Sequence, residues 1–218
     1  YSTVDTAEVV AASKLRAMKN PRASYGGAIK AEDVINSGPI ALPLRQLDKA
    51  RFAEGSIVLV IASEEWAKKN KREHVLVEGV SWAAATPWFE GGSFDRAEYA
   101  ELAFRRACKQ ANLKPDLTSF DIVELDDTYS YKLLQHLYTL TGKKTALRRR
   151  LAEDNPTVNP SGGALGIGNL IEASGLERIL ECVLQLKRNA GVMQVNGAER
   201  ALVLSWRGHP GVVMVILI

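Results

Sequence analysis

The chain reads as an α/β domain with a mixed five-stranded sheet and helices on both of its faces. Three observations predict this. Strand-length apolar runs alternate with segments of helical period along residues 56–218. The runs at residues 56–62 and 212–218 are continuously apolar and rich in β-branched side chains, as strands covered on both faces are. Strands separated by helices also need crossover connections, which make at least some neighbouring strands parallel. With 218 residues, 46% hydrophobic and 24% charged, the chain has ordinary globular composition and enough length for a sizeable core.

Taken in order, Val4, Ala7, Val10, Ala11, Leu15 and Met18 give residues 3–19 a helical stripe that Asn20-Pro21 must end, because the residue before proline disfavours the helical region. A short helix over 30–37 stops at Gly38, and an irregular apolar connector follows between Pro39 and Pro43. Residues 56–62 read as a central strand and 64–72 as a solvated, charged helix, with a domain boundary near 68–73. Strands at 74–82 and 119–125, helices at 94–111 and 130–141, a basic turn, a glycine-rich loop, a helix over 171–189 and strands at 200–205 and 212–218 complete the list.

The net charge of +3 and pI near 8.8 are mild and point to no nucleic-acid partner. Cys108 and Cys182 stand far apart without CxxC or histidine company, which argues against a disulfide scaffold or a zinc site and fits a reducing cytoplasm. No run reaches the roughly 18–20 apolar residues of a membrane helix. Tyr1 is neither a methionine nor the start of a charged leader, which reads as a fragment or a processed chain.

Three segments carry chemistry. Asp121-Ile-Val-Glu-Leu-Asp-Asp-Thr-Tyr-Ser-Tyr131 is a buried strand releasing polar groups at its carboxyl end, where open α/β sheets place ligands. Asp126 and Asp127 can include a carboxyl of raised pKa acting as a base, and Tyr129 and Tyr131 can donate to an oxyanion. The other reading is an aspartate cap with amphipathic tyrosines. Asn159-Pro-Ser-Gly-Gly-Ala-Leu-Gly-Ile-Gly-Asn169 is dense enough in glycine to face a ligand closely. Leu204-Ser-Trp-Arg-Gly-His-Pro-Gly211 is a hairpin offering Ser205, Arg207 and His209, or a plain surface turn. His74 and His136 read as structural or exposed. Lys143-Lys144 and Arg148–Arg150 can hold phosphates or solvate a loop, and Trp82, Trp88 and Phe89 can cover an apolar ligand or an interface.

In this order Asn20-Pro-Arg-Ala23, the connector ending Pro43-Leu-Arg-Gln-Leu-Asp48, the strand over 55–63, Asp121-Ile-Val-Glu124, Asn159-Pro-Ser-Gly-Gly163, Ala173-Ser-Gly175 and the closing hairpin resemble the C-terminal half of the thiolase superfamily. The similarity lies with the sterol-carrier-protein-X thiolase and lipid-transfer-protein aldolase branch and covers essentially the whole chain. It implies a layered αβαβα fold, with residues 1–70 ending the N-terminal domain and 71–218 forming the C-terminal one.

A thiolase needs a nucleophilic cysteine, an activating histidine, a second cysteine and an Asn or His at the oxyanion site. The family's Gly-His-Pro corresponds here to Gly168-Asn169-Leu170, its Asn or His after the Val-Glu strand to Asp126, its phenylalanine to Tyr129, and its second cysteine falls near Ser205. The nucleophile loop corresponds to sequence upstream of Tyr1. The resemblance therefore implies an aldolase-type, retro-aldol lyase of lipid or steroid side-chain acyl-CoA thioesters. Its catalytic candidates are Tyr129, Tyr131, His209, Asp126 and Asp127, with Asn169, Ser205, Gly162 and Gly163 against substrate. It implies no metal, no cofactor beyond coenzyme A as part of the substrate, a homodimer, and a zinc-ribbon/OB-fold partner subunit. A divergent acetyl-CoA acyltransferase completed by an N-terminal half, and a non-catalytic acyl-CoA-binding or scaffold subunit, are the alternatives.

Overall fold

The structure is a computed structural model that describes residues 1–86, 95–143, 157–206, 208 and 211–218. Helix α1 (Thr3–Ala17) starts on a capping box in which the Ser2 hydroxyl accepts from the Asp5 N–H while the Asp5 carboxylate takes the Ser2 N–H. Its buried stripe of Ala7, Val9, Val10 and Ala17 faces the core. Helix α2 (Ala31–Ile35) leads to a small antiparallel hairpin, β1 (Pro39–Ala41) and β2 (Leu44–Arg45), in the connector. A solvated helix α3 (Glu64–Lys69) is capped by Ser63.

The main sheet contains β3 (Val77–Ala84), β4 (Ile122–Leu125), β5 (Ala201–Trp206) and β6 (Gly211–Leu217), in the order β3-β6-β5-β4. Strand β6 is antiparallel to both neighbours, whereas β4 and β5 run parallel from Ile122 opposite Ala201 to Leu125 opposite Leu204. The fifth position expected in the sheet is occupied by a single parallel bridge, Val158 beside Val123, held by the Val123 N–H on Thr157 O (2.8 Å) and the Asn159 N–H on Val123 O (2.9 Å).

Alternation along the strands sorts side chains to two faces. Val123, Leu125, Leu202, Leu204, Met214 and Ile216 join the core under helices α4 (Glu98–Gln110) and α5 (Ser130–Thr141). Ile122, Ala201, Val203 and Val215 face the opposite way, toward Cys182 of the last long helix, α7 (Ser174–Leu186). Both cysteines are free, buried thiols.

Two expectations are corrected. Residues 56–62 form no strand and are not central: Val58, Val60 and Ile61 are 82%, 90% and 88% exposed. An apolar run becomes a buried strand only when neighbouring strands accept its backbone bonds, and no described strand lies beside this one. The glycine-rich segment is buried from Asn159 to Gly168 rather than open at the surface, and its glycines allow close packing. It contains the short helix α6 (Gly163–Ile167), laid on the C-terminal end of α1. A Cβ on Gly162 would stand 2.7 Å from Ala17 Cβ, and one on Gly166 would overlap the same methyl.

Candidate active site

The parallel pair β4 and β5 delivers both carboxyl ends to one edge of the sheet, and the chain wraps that edge with three segments. After β4 come Asp126 to Tyr131; after α6 comes the turn through Asn169; at the end of β5 come Ser205 and Trp206. Residues 49–53 cross between them. Lys49 bridges to Tyr129, Ala50 N–H donates to Thr128 O (2.9 Å), Asn169 N–H donates to Arg51 O (2.7 Å), and Ala53 N–H donates to Asn169 O (3.1 Å). Asn159, at φ 46°, continues β4 with its side chain, accepting from Leu125 N–H at 2.7 Å and donating to Leu125 O at 2.9 Å.

Asp126 and Asp127 lie beneath this rim, 1% and 0% exposed. Asp126 follows Ile122 and Glu124 on the α7 face, where its Oδ2 meets Arg178 Nη2 at 3.0 Å and its Oδ1 accepts from Thr128 N–H. Asp127 caps α6 by accepting from Ala164 N–H (2.6 Å) and Leu165 N–H (3.3 Å). Burial, outweighing the pull of Arg178, pushes the Asp127 carboxyl up to about 6. Gly163, at φ 60°, has no Cβ to collide with that carboxylate, so Gly162 and Gly163 are buried scaffold rather than an open surface.

Tyr129 and Tyr131 stand at the rim with ring centroids 5.8 Å apart, and Trp206 meets Tyr129 edge-on at 6.4 Å. Tyr131 is 38% exposed, and its hydroxyl is pushed up by burial and by Tyr129. Across the rim, Asn169 Oδ1 accepts from Ile171 N–H (3.0 Å) and Ser174 Oγ (3.1 Å). A backbone N–H can only donate, so the amide orientation is fixed and the Nδ2 hydrogens point elsewhere as donors. The Ser205 side chain packs beside Gly175 at the start of α7, where its Oγ lies 3.0 Å from the place a Cβ would take. The structure thus gathers Tyr129, Tyr131, Asn169 and Ser205 around one strand edge with the two aspartates below. His209 and Arg207 lie outside the described residues, as do Trp88, Phe89, Lys144 and Arg148–Arg150. His74 is exposed in a loop and His136 is fully buried in α5.

Helix α7 reverses the usual amphipathic arrangement: its most buried positions are Ser174, Glu177, Arg178, Glu181, Cys182 and Gln185, while Leu176 is 42% exposed. Glu181 takes a bidentate pair from Arg22 (2.7 and 2.8 Å) and a bond from Asn20. Glu124 accepts from the Ser161 N–H and hydroxyl, and burial pushes it up to about 8. Burial raises Glu177 as well. The folded Glu124 therefore holds a proton that the unfolded chain releases near its ordinary value, so this group's contribution to stability falls as pH rises from about 4.5 to about 8. His136, pushed down to about 4 by burial, works oppositely below its ordinary value. Glu124→Gln should therefore be progressively stabilised relative to the unaltered protein between pH 5 and 8, as read from thermal midpoints at each pH. A difference that stays flat with pH would contradict it.

The thiolase C-terminal domain-like family profile matches residues 94–217. The chain is 31% identical over 191 residues to an acetyl-CoA acetyltransferase of Methanothermobacter thermautotrophicus, covering 84% of this chain and 49% of that protein. The chain belongs to the thiolase C-terminal domain-like family. A sterol carrier protein 2 of Oryctolagus cuniculus is 30% identical over 200 residues, 85% of this chain and 36% of that protein. Among solved structures, that of an Ltp2-ChsH2(DUF35) aldolase superposes with a TM-score of 0.88 at 23% identity, over all of this chain and 58% of that one. The chain thus spans about half the length, or less, of the curated relatives it matches. Within this thiolase-like frame no described helix is long and apolar enough to cross a membrane, and no described group of three or more His, Cys, Asp or Glu side chains is arranged to hold a metal ion.

Lys132, Arg178, Trp206 and Asn159 are the site residues that sequence reasoning did not single out. Only Asn159 carried a signal, as the first residue of the glycine segment. A lone Arg or Lys in a helix reads as solvated until the fold shows otherwise.

Proposed function

We propose that the complete protein is a carbon-carbon lyase that cleaves β-hydroxyacyl-CoA thioesters of lipid or steroid side chains by retro-aldol chemistry. The observation that carries the reading is that residues 49–53 tie the Tyr129 end of β4 to the turn of Asn169, whose amide is held as a donor. Such a pair suits a reaction that needs one proton acceptor and one oxyanion donor, and no acyl-enzyme.

Tyr129, as phenolate, takes the proton of the β-hydroxyl. The O–H pair forms the new carbonyl, the Cα–Cβ bond breaks, and its electrons pass into the thioester enolate, whose oxygen accepts from Asn169 Nδ2. Reprotonation at Cα by the same tyrosine gives the shortened acyl-CoA and restores the base. Tyr131 and Ser205 line the substrate path, Asp126 and Asp127 hold the strand end, and His209 is a further candidate for the proton transfer. Coenzyme A enters only as part of the substrate. A homodimer and a second subunit of the zinc-ribbon/OB-fold kind belong to this reading, the latter supported by the similar aldolase structure, which joins Ltp2 with ChsH2(DUF35).

A thiolase-type acyl transfer is the second reading, favoured by the likeness to acetyl-CoA acetyltransferases. Incubating the complete protein with a β-hydroxyacyl-CoA, and separately with an acyl-CoA and acetyl-CoA, distinguishes them by mass spectrometry. Retro-aldol cleavage yields a carbonyl compound and a shorter acyl-CoA with unmodified protein. An acyl group trapped on a cysteine, without such cleavage, would replace the lyase reading by the transferase one.

A further inference from the structure

Lys132 sits in the first turn of α5 and is 4% exposed, although its neighbours include no carboxylate bonded to it. Its ammonium donates to Gln135 Oε1 (2.7 Å) and to the Tyr99 hydroxyl (3.2 Å). It lies 4.5 Å over the Trp206 ring and 5.8 and 5.9 Å from the Tyr131 and Tyr99 ring centres. Burying an ammonium this way is expensive, and a leucine or methionine would pack against the same three rings without that cost. The cation contributes two things an apolar side chain lacks. Its attraction to the Trp206 face fixes the indole that meets Tyr129 edge-on, and its positive charge stands 5.8 Å from the ring of Tyr131, the neighbour of Tyr129.

We infer that Lys132 is a positioning residue for the Tyr129–Tyr131 pair, fixing the rings through Trp206 and stabilising the phenolate form that proton transfer requires. The inference rests on the lyase reading for the identity of the proton acceptor. The groups facing the ammonium are Tyr99 from α4, Tyr131, Gln135 and His136 from α5, Trp206 from β5 and Asp126 from the end of β4, whose carboxylate is engaged by Arg178 of α7. Burial pushes Lys132 down to about 8 against the opposing pull of Asp126, so the cation is lost just above neutral pH, while an arginine there stays charged.

The test compares Lys132→Met, Lys132→Arg and the unaltered complete protein. In ultraviolet difference titration of tyrosinate, with Tyr129→Phe and Tyr131→Phe assigning the transition, Lys132→Arg, which stays charged where tyrosines ionise, should bring one tyrosine to lower pH than Lys132→Met does. With a β-hydroxyacyl-CoA, Lys132→Met should lower kcat about tenfold with little change in KM. The alkaline limb of the rate profile near pH 8 should disappear in Lys132→Met and move higher in Lys132→Arg. If Lys132→Met does not fold, Lys132→Gln is titrated in its place. Coincident tyrosinate curves for the charged and neutral variants would overturn the inference whatever the activity. A shifted curve in a protein that cleaves no β-hydroxyacyl-CoA would leave the role of Lys132 standing and remove the lyase reading.

Discussion

Arg178→Met should cost about 3–5 kcal/mol of folding stability, a large share of the about 5–15 kcal/mol of an ordinary domain. Arg178 is 0% exposed, with Nη2 3.0 Å from Asp126 Oδ2 and 3.9 Å from Asp127 Oδ1, and Nη1 donating to Ser174 O at 3.1 Å. It is the cation at the centre of a buried group that also contains Glu124 and Glu177. Methionine keeps much of the volume and removes the charge, so two buried carboxylates lose the counter-ion that offsets their desolvation. The loss should shrink as pH falls toward the range in which Asp127, already pushed up to about 6, takes a proton. Adding Asp126→Asn should recover part of it, because the partners are coupled. Urea denaturation of the three proteins at two pH values reads all of this, and an Arg178→Met midpoint equal to the unaltered one would show that the pair is not a stabilising element.

Tyr129→Phe should lower turnover of a β-hydroxyacyl-CoA by at least about 10²-fold, close to 2.7 kcal/mol of transition-state stabilisation. The ring contacts with Tyr131 and Trp206 need no hydroxyl, so stability should change by less than about 0.5 kcal/mol. A fall in kcat with KM nearly unchanged is the signature of a group acting in the transition state rather than in binding. Tyr131→Phe distinguishes the two rings: a larger loss there would exchange their roles, and unaltered turnover in both variants would take the tyrosines out of the reaction.

Much of the fold was legible before any coordinate. Helix α5 occupies residues 130–141 as expected, since its apolar period and the following Gly142 in the left-handed conformation are both local signals. Strands β5 and β6 fall within one residue of the runs that predict them. The candidate site was legible as a place, because polar residues clustering after a buried strand imply the carboxyl edge of a sheet. Its inner workings were not. The glycines suggested a ligand, and in the structure they make room for Ala17 and Asp127; a close backbone approach reads the same in sequence whatever is approached. Residues 56–62 suggested a buried strand because hydrophobicity reports a wish to be covered, not the presence of a cover.

The sequence by itself determined the order of helices and strands, the family and the strand edge that carries Tyr129 and Asn169, all of which depend on neighbours within a turn or a strand length. Only the tertiary structure decided that the polar side of α7 faces inward, that Asp126 meets Arg178, and that Lys132 lies among three aromatic rings. Those outcomes depend on strand parity and on packing between segments far apart in the chain, and the energy of a charged side chain is set by the partners and the solvent it finds there.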